Sequence, residues 1–267
     1  MSPSQRNFFI GGLVILAAGI VQLMPQNSCE KSSNKLLVLV DQTDVLSDKS
    51  LEAILNQAKS AIEASLPYTN VVVKYISDGA VKKRYEGCRP EKVEWYTQIA
   101  SDDQKLDKNW KQFVDEFLAQ LNTKIQVSES SPIYEVVIDD ARIEFINFKH
   151  KDLLIFSDFR QFTKNKINLQ TKCYNPEFET QNIMNTLPTL NKVSAANMRP
   201  LDGVHVRRFM IPREDMSKDN MACLVAVSDM VFQNLMSESS SLEPIDFLPI
   251  SPASTGSTSA KIKLKVN

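Results

Sequence analysis

The stretch Lys35–Asp44, KLLVLVDQTD, decides the fold. Five apolar residues in a row, Leu36 to Val40, end on an acid, a hydroxyl residue and a second acid. A short leucine and valine run without polar alternation reads as a strand buried on both faces. Such strands belong to parallel sheets covered by helices. In open α/β sheets, ligands bind beyond the carboxyl ends of the strands. Asp41, Thr43 and Asp44 stand where that rule places a site. Asp152–Asp158, DLLIFSD, repeats the pattern and ends on Ser157 and Asp158. The bland alternative is that these polar residues only cap the turn or helix that follows.

The flanking sequence extends the alternation of strand and helix. Ser47 opens a helix, SDKSLEAILNQAKSAIEASL, with Leu51, Ile54, Leu55, Ala58, Ile62 and Leu66 on one face. Pro67 ends it, and Asn70–Ile76 is a second strand rich in β-branched residues. This β-α-β unit should cross over right-handed. Ser77–Asp103 reads as loop with room for a short strand. Lys105–Leu121 is a helix with Trp110, Phe113, Val114, Phe117 and Leu121 inward. Pro132 opens the next, which runs to about Asn147 with Ile133, Val136, Val137, Ala141 and Phe145 inward. Phe159–Asn182 is loop-like, and Glu179–Lys192 has room for a short helix. Gly203–Ile211 is a strand whose His205, Arg207 and Arg208 place it nearer an edge. Ser217–Met236 is a helix with Met221, Leu224, Val225, Ser228, Val231, Phe232 and Leu235 inward. Residues 35–238 therefore form a doubly wound α/β domain, its mostly parallel sheet flanked by helices. Residues 239–267 are rich in Ser, Pro and Thr and end on KIKLKV. They read as a disordered tail whose end has a partner to dock on.

The chain of 267 residues carries a net charge of −1, which gives no electrostatic case for nucleic acid. Two histidines argue against a histidine-rich zinc site. Neither GxGxxG nor GxxxxGK[ST] occurs, so no dinucleotide or nucleotide phosphate loop is indicated. Phe8–Met24 is 17 residues without a charge and follows Arg6. As a helix it spans about 26 Å, close to a ~30 Å hydrocarbon core. Residues 1–24 read first as a signal-anchor transmembrane helix, with residues 8–24 in the membrane and residues 25–34 as a tether. A cleaved signal peptide is the second reading, because Ala17-Ala18-Gly19 supplies small residues. A buried soluble helix is the third. Gln26-Asn27-Ser28 is a poor match to the residues expected before a lipidated Cys29.

The first two readings put the domain outside the cytoplasm, periplasmic or extracellular, and secreted if the N-terminus is cleaved. Cys29, Cys88, Cys173 and Cys223 then allow two disulfides in three connectivities. Cys88 and Cys173 both lie in loop-like sequence and form the favoured pair. Cys223, in an apolar helical stretch, reads as a small buried thiol.

Asp41 and Thr43, Ser130 and Ser131, and Asp158 offer hard oxygen ligands on three loops that meet at one rim if their strands are neighbours. Oxygen donors without histidine or thiolate suit Mg²⁺, Mn²⁺ or Ca²⁺. At these residues the chain resembles the von Willebrand factor type A domain family. Asp41-Gln42-Thr43-Asp44-Val45 matches the first two ligand positions of its Asp-x-Ser-x-Ser motif. Ser131-Pro132-Ile133-Tyr134 looks like its helix entry, and Phe156-Ser157-Asp158 like its last element. Val45 stands in place of the motif's second serine, and Phe159 in place of the glycine that commonly follows the last aspartate.

The resemblance implies a metal-ion-dependent adhesion site, with Asp41, Thr43, Ser131 and Asp158 around Mg²⁺ (or Mn²⁺ or Ca²⁺). The metal would accept an acidic residue from a partner protein. It implies binding and assembly, with no catalytic residues and no enzyme activity. Two alternatives stay open. One is a metal-free structural or assembly domain. The other is a metal-dependent phosphatase-like hydrolase resembling the haloacid dehalogenase family. There Asp41 would be the nucleophile, and Thr43 stands where the general acid should be. No downstream lysine-plus-acid-pair arrangement is clear, and Asp139-Asp140 reads as a solvated helix face.

Overall fold

The computed structural model describes residues 29, 32–43, 46–77, 80–91, 101–121, 131–163, 167–169, 173–187 and 200–250. The apolar segment 8–24, Asp44, Val45, Ser130 and the KIKLKV end lie outside them. Among the described residues no helix is long and apolar enough to cross a membrane.

The strands are β1 (Asn34–Asp41), β2 (Asn70–Ser77), β3 (Ala80–Cys88), β4 (His150–Ser157), β5 (Phe162–Thr163), β6 (Ile167–Asn168), β7 (Val204–Met210), β8 (Ser241–Leu242) and β9 (Asp246–Phe247). The helices are α1 (Asp48–Ala64), α2 (Ser101–Leu121), α3 (Ile133–Glu144), α4 (Pro176–Thr186) and α5 (Lys218–Leu235). The main sheet runs β3-β2-β1-β4-β7, with β8 and β9 both alongside β7. Its pairings are parallel except β2 with β3. From β1 the chain steps outward to β2 and later returns to the other side as β4. The topological switch point, where doubly wound sheets bind ligands, is therefore the cleft between β1 and β4.

Strand β1 shows why its run is unbroken. Leu36, Val38 and Val40 face a core built with α1 and α2, while Leu37 and Leu39 face one built with α3, α4 and α5. Both faces are covered, so every residue of the run is apolar. The helical stripes of α2 and α3 pack as their spacing predicts, with Trp110, Phe113, Val114, Phe117, Ile133, Val136, Val137 and Ala141 buried. Helix α3 ends at Glu144, short of Asn147, and Phe145 is its C-cap. Leu66 lies beyond the end of α1 and is exposed. No basic residue sits in the last turn of α1. Arg89 supplies that charge from the end of β3, donating to the carbonyls of Ile62 and Glu63 and stacking on Trp110.

Several expectations are corrected. Residues 80–88, expected as loop with room for a short strand, are a full antiparallel edge strand of 9 residues. Residues 239–250 are not a disordered tail: β8 and β9 extend the sheet, and Leu248 is buried. Pro244, which has no N–H, falls in the gap between those two strands, as an edge tolerates. The disulfides are Cys29–Cys88 and Cys173–Cys223. Cys88 pairs in register with Asn70, at the amino rim of the sheet. The Cys173 N–H donates to Asn220 Oδ1 in the first turn of α5, at the carboxyl rim. Cys88 and Cys173 thus lie at opposite ends, and Cys223 is no free thiol.

Asp140 is not on a solvated face. Lys74 reaches it at 3.0 Å and Glu144 at 2.7 Å, and Lys35 also pairs with Glu144. Burial pushes the Glu144 carboxyl up, but hydrogen bonds and charge from Lys35 and Lys74 outweigh this and hold it below the usual carboxylate range.

Candidate functional site

Strand parity builds the site. Asp41 continues the parity of Leu37 and Leu39, and Ser157 that of Leu153 and Ile155. Both sets face α3, α4 and α5, so the two strand ends present an acid and a hydroxyl to the same side. Ladder register pairs Val40 with Phe156, which sets Asp41 beside Ser157 across the switch point.

Asp41 is the hub. Its Oδ1 accepts from the Thr43 N–H at 3.1 Å and the Thr43 hydroxyl at 2.7 Å. Its Oδ2 accepts from the Ser131 hydroxyl at 3.1 Å and the Ser157 hydroxyl at 2.8 Å. The Ser157 Oγ in turn accepts the Phe159 N–H at 2.8 Å. One carboxylate therefore ties together the end of β1, the entry to α3 and the end of β4. At the same entry, the buried Gln161 side chain accepts the Tyr134 N–H, capping the first turn of α3.

Asp158 stands next to this cluster and has its own partners. Its Oδ1 accepts the Arg160 N–H at 2.9 Å, and the Arg213 Nε–H approaches its Oδ2 at 3.4 Å. Arg160 makes two hydrogen bonds to Asp215, at 3.0 and 2.6 Å, and so clamps the loop after β4 to the loop after β7. Burial pushes the Asp158 carboxyl up, the Arg213 charge pulls it down and the Asp41 charge pushes it up again; the result is about 6. Between the two clusters Phe159 holds a left-handed backbone, φ 56°, with its ring in the core. That conformation favours glycine, the residue common at this position in the resembled motif.

The structure thus brings Asp41, Thr43 and Ser131 into one hydrogen-bonded cluster and places Asp158 beside it, bonded elsewhere. Ser47 is committed as the N-cap of α1 and adds no ligand. The sequence places Ser157 at the strand end but outside the expected ligand set, into which parity would have put it. Sequence reasoning left out Arg213, Arg160 and Gln161, for which no local signal exists.

The donor set does not fit the divalent ion that the resemblance implies. The buried Arg213 guanidinium already faces Asp158 and supplies positive charge where the ion would sit.

No protein-family model matches the chain, and neither does any curated protein. Among solved structures it is similar to the conserved hypothetical protein BatB from Bacteroides thetaiotaomicron: 9% identity over 82% of this chain and 91% of that one, TM-score 0.37. It is likewise similar to the SpRpn10 VWA domain: 10% identity over 84% and 90%, TM-score 0.37. A third is the human COPII-coat protein Sec24c: 10% identity over 81% of this chain and 29% of that one, TM-score 0.37. The strand order, the antiparallel β3 edge and the acid at the switch point together make this a type A-like fold.

Proposed function

We propose that this chain is an exported protein-binding module, held at a membrane by residues 8–24, that docks a partner protein at the carboxyl rim of its sheet. It acts by binding rather than turnover, and without a bridging metal. The observation that carries this reading is the Asp41 hub: a carboxylate 2% exposed that fixes three rim segments in one shape. Rigid elements presenting shaped loops are the usual platform for recognition.

One further feature supports the rim as the docking face, and another supports export. Tyr174 and Phe178 are 73% and 62% exposed, and they flank the N-terminus of α4 near the first turn of α5. Exposed aromatic residues are the commonest anchors of protein interfaces. The two disulfides suit an oxidising compartment, in keeping with export.

The test is affinity purification of the full chain from its native cells, comparing wild type, Asp41→Asn and the double variant Tyr174→Ala/Phe178→Ala. Circular dichroism first establishes that each is folded. The reading expects a protein that co-purifies with wild type to be lost from both variants. Equal recovery on all three would contradict it.

A further inference from the structure

We propose that Arg213 is a built-in cation that takes the charge-balancing place of the metal at this rim. The inference deepens the binding reading above but stands on a different observation, the guanidinium at Asp158. Asp41 and Asp158 are each 2% exposed, and a buried carboxylate needs donors, a counter-charge or a metal. Asp41 is supplied by donors alone. Asp158 has one backbone N–H and the guanidinium of Arg213, whose side chain is 3% exposed.

The backbone holds Arg213 in this position. The Ile211 N–H bonds the Ser157 carbonyl, Pro212 fixes the next φ, and the Met216 N–H closes a turn on the Arg213 carbonyl. The Arg160–Asp215 pair clamps the same two loops. Arginine keeps its charge at every accessible pH, so this cation cannot be lost as a metal can. A divalent ion approaching Asp158 would meet a fixed positive charge. Without the arginine, the carboxylates of Asp41 and Asp158 and the hydroxyls of Thr43 and Ser131 would remain as an oxygen-rich set of the kind Mg²⁺ and Mn²⁺ take, with the Arg160 side chain committed to Asp215.

The experiment titrates Mn²⁺ alone into the full chain in detergent and reads free Mn²⁺ by electron paramagnetic resonance. Wild type, Arg213→Lys, Arg213→Gln and Asp41→Asn/Arg213→Gln are compared. Expected are no binding at millimolar Mn²⁺ for wild type and Arg213→Lys, binding gained in Arg213→Gln, and that gain lost in the double variant. Binding of Mn²⁺ by wild type as tight as that of Arg213→Gln would overturn the proposal. So would a folded Arg213→Gln that gains none. Should Arg213→Gln be unfolded, recovery of its far-ultraviolet circular dichroism on adding Mn²⁺ supports the proposal, and no recovery overturns it. Because no partner enters this assay, its outcome is independent of whether the rim docks a protein.

Discussion

Ser157, ending β4, donates its hydroxyl to Oδ2 of Asp41, ending β1, across 2.8 Å at the switch point of the sheet. The same oxygen accepts the Phe159 N–H, so one hydroxyl serves both the hub and the loop behind it. Ser157→Ala would leave a buried carboxylate one donor short and a buried N–H unmet. We expect a loss of about 2 kcal/mol, read by urea unfolding.

Phe159 carries a left-handed backbone at φ 56° with its side chain fully buried in the core that α3, α4 and α5 cover. Phe159→Gly would relieve strain of about 1–2 kcal/mol. It would also forfeit burial of a phenyl ring, about 3–5 kcal/mol in comparable core truncations. The packing term is larger, so the variant should be less stable by about 2 kcal/mol, with the rim otherwise unchanged. A more stable Phe159→Gly in the same urea assay would mean that strain, not packing, dominates here.

Much of this arrangement was legible in the sequence because it follows from local pattern. The unbroken runs at Leu36–Val40 and Leu153–Phe156 mark central strands, and the acid and hydroxyl after each mark the rim. The stripes of α2 and α3 follow the helical period. What escaped depended on contacts between distant segments. Asp78-Gly79 between two strands was a hairpin signal for β3 that mixed charge obscured. The apolar residues Leu242, Ile245 and Leu248 signalled an ordered edge inside a segment whose serines and prolines suggested disorder. Disulfide partners depend on which rim each cysteine occupies, and no cysteine spacing encodes that. Arg213 reaches Asp158 from 55 residues away.

The ion-pair cluster under α3 makes stability depend on pH. The Glu144 carboxyl is held below its ordinary range by Lys35 and Lys74 despite burial. A group whose folded pKa is depressed adds stability above its unfolded pKa and loses it as pH falls through the folded value. Glu144→Gln should cost about 3 kcal/mol at neutral pH, as breaking a buried pair does. The gap from wild type should close as pH falls below about 4. Denaturant melts at a series of pH values check both statements; a gap that stays constant to low pH would contradict the assignment.

Each disulfide closes a long loop, 59 residues for Cys29–Cys88 and 50 for Cys173–Cys223. Constraining the unfolded chain over such separations is worth about 4 kcal/mol in the chain-entropy account. Paired cysteine-to-serine variants should each lose an amount of that order, and thiol titration of the oxidised wild type should find no free thiol.

The most direct test of rim docking is site-specific photocrosslinking in the native cell. A photoreactive phenylalanine analogue replaces Tyr174, at the carboxyl rim, or Ile146, which is 57% exposed between the end of α3 and the start of β4 at the amino rim. The account predicts a discrete protein adduct from position 174 that Asp41→Asn abolishes, and none from position 146. An adduct from 146 alone, or one from 174 indifferent to Asp41→Asn, would contradict it.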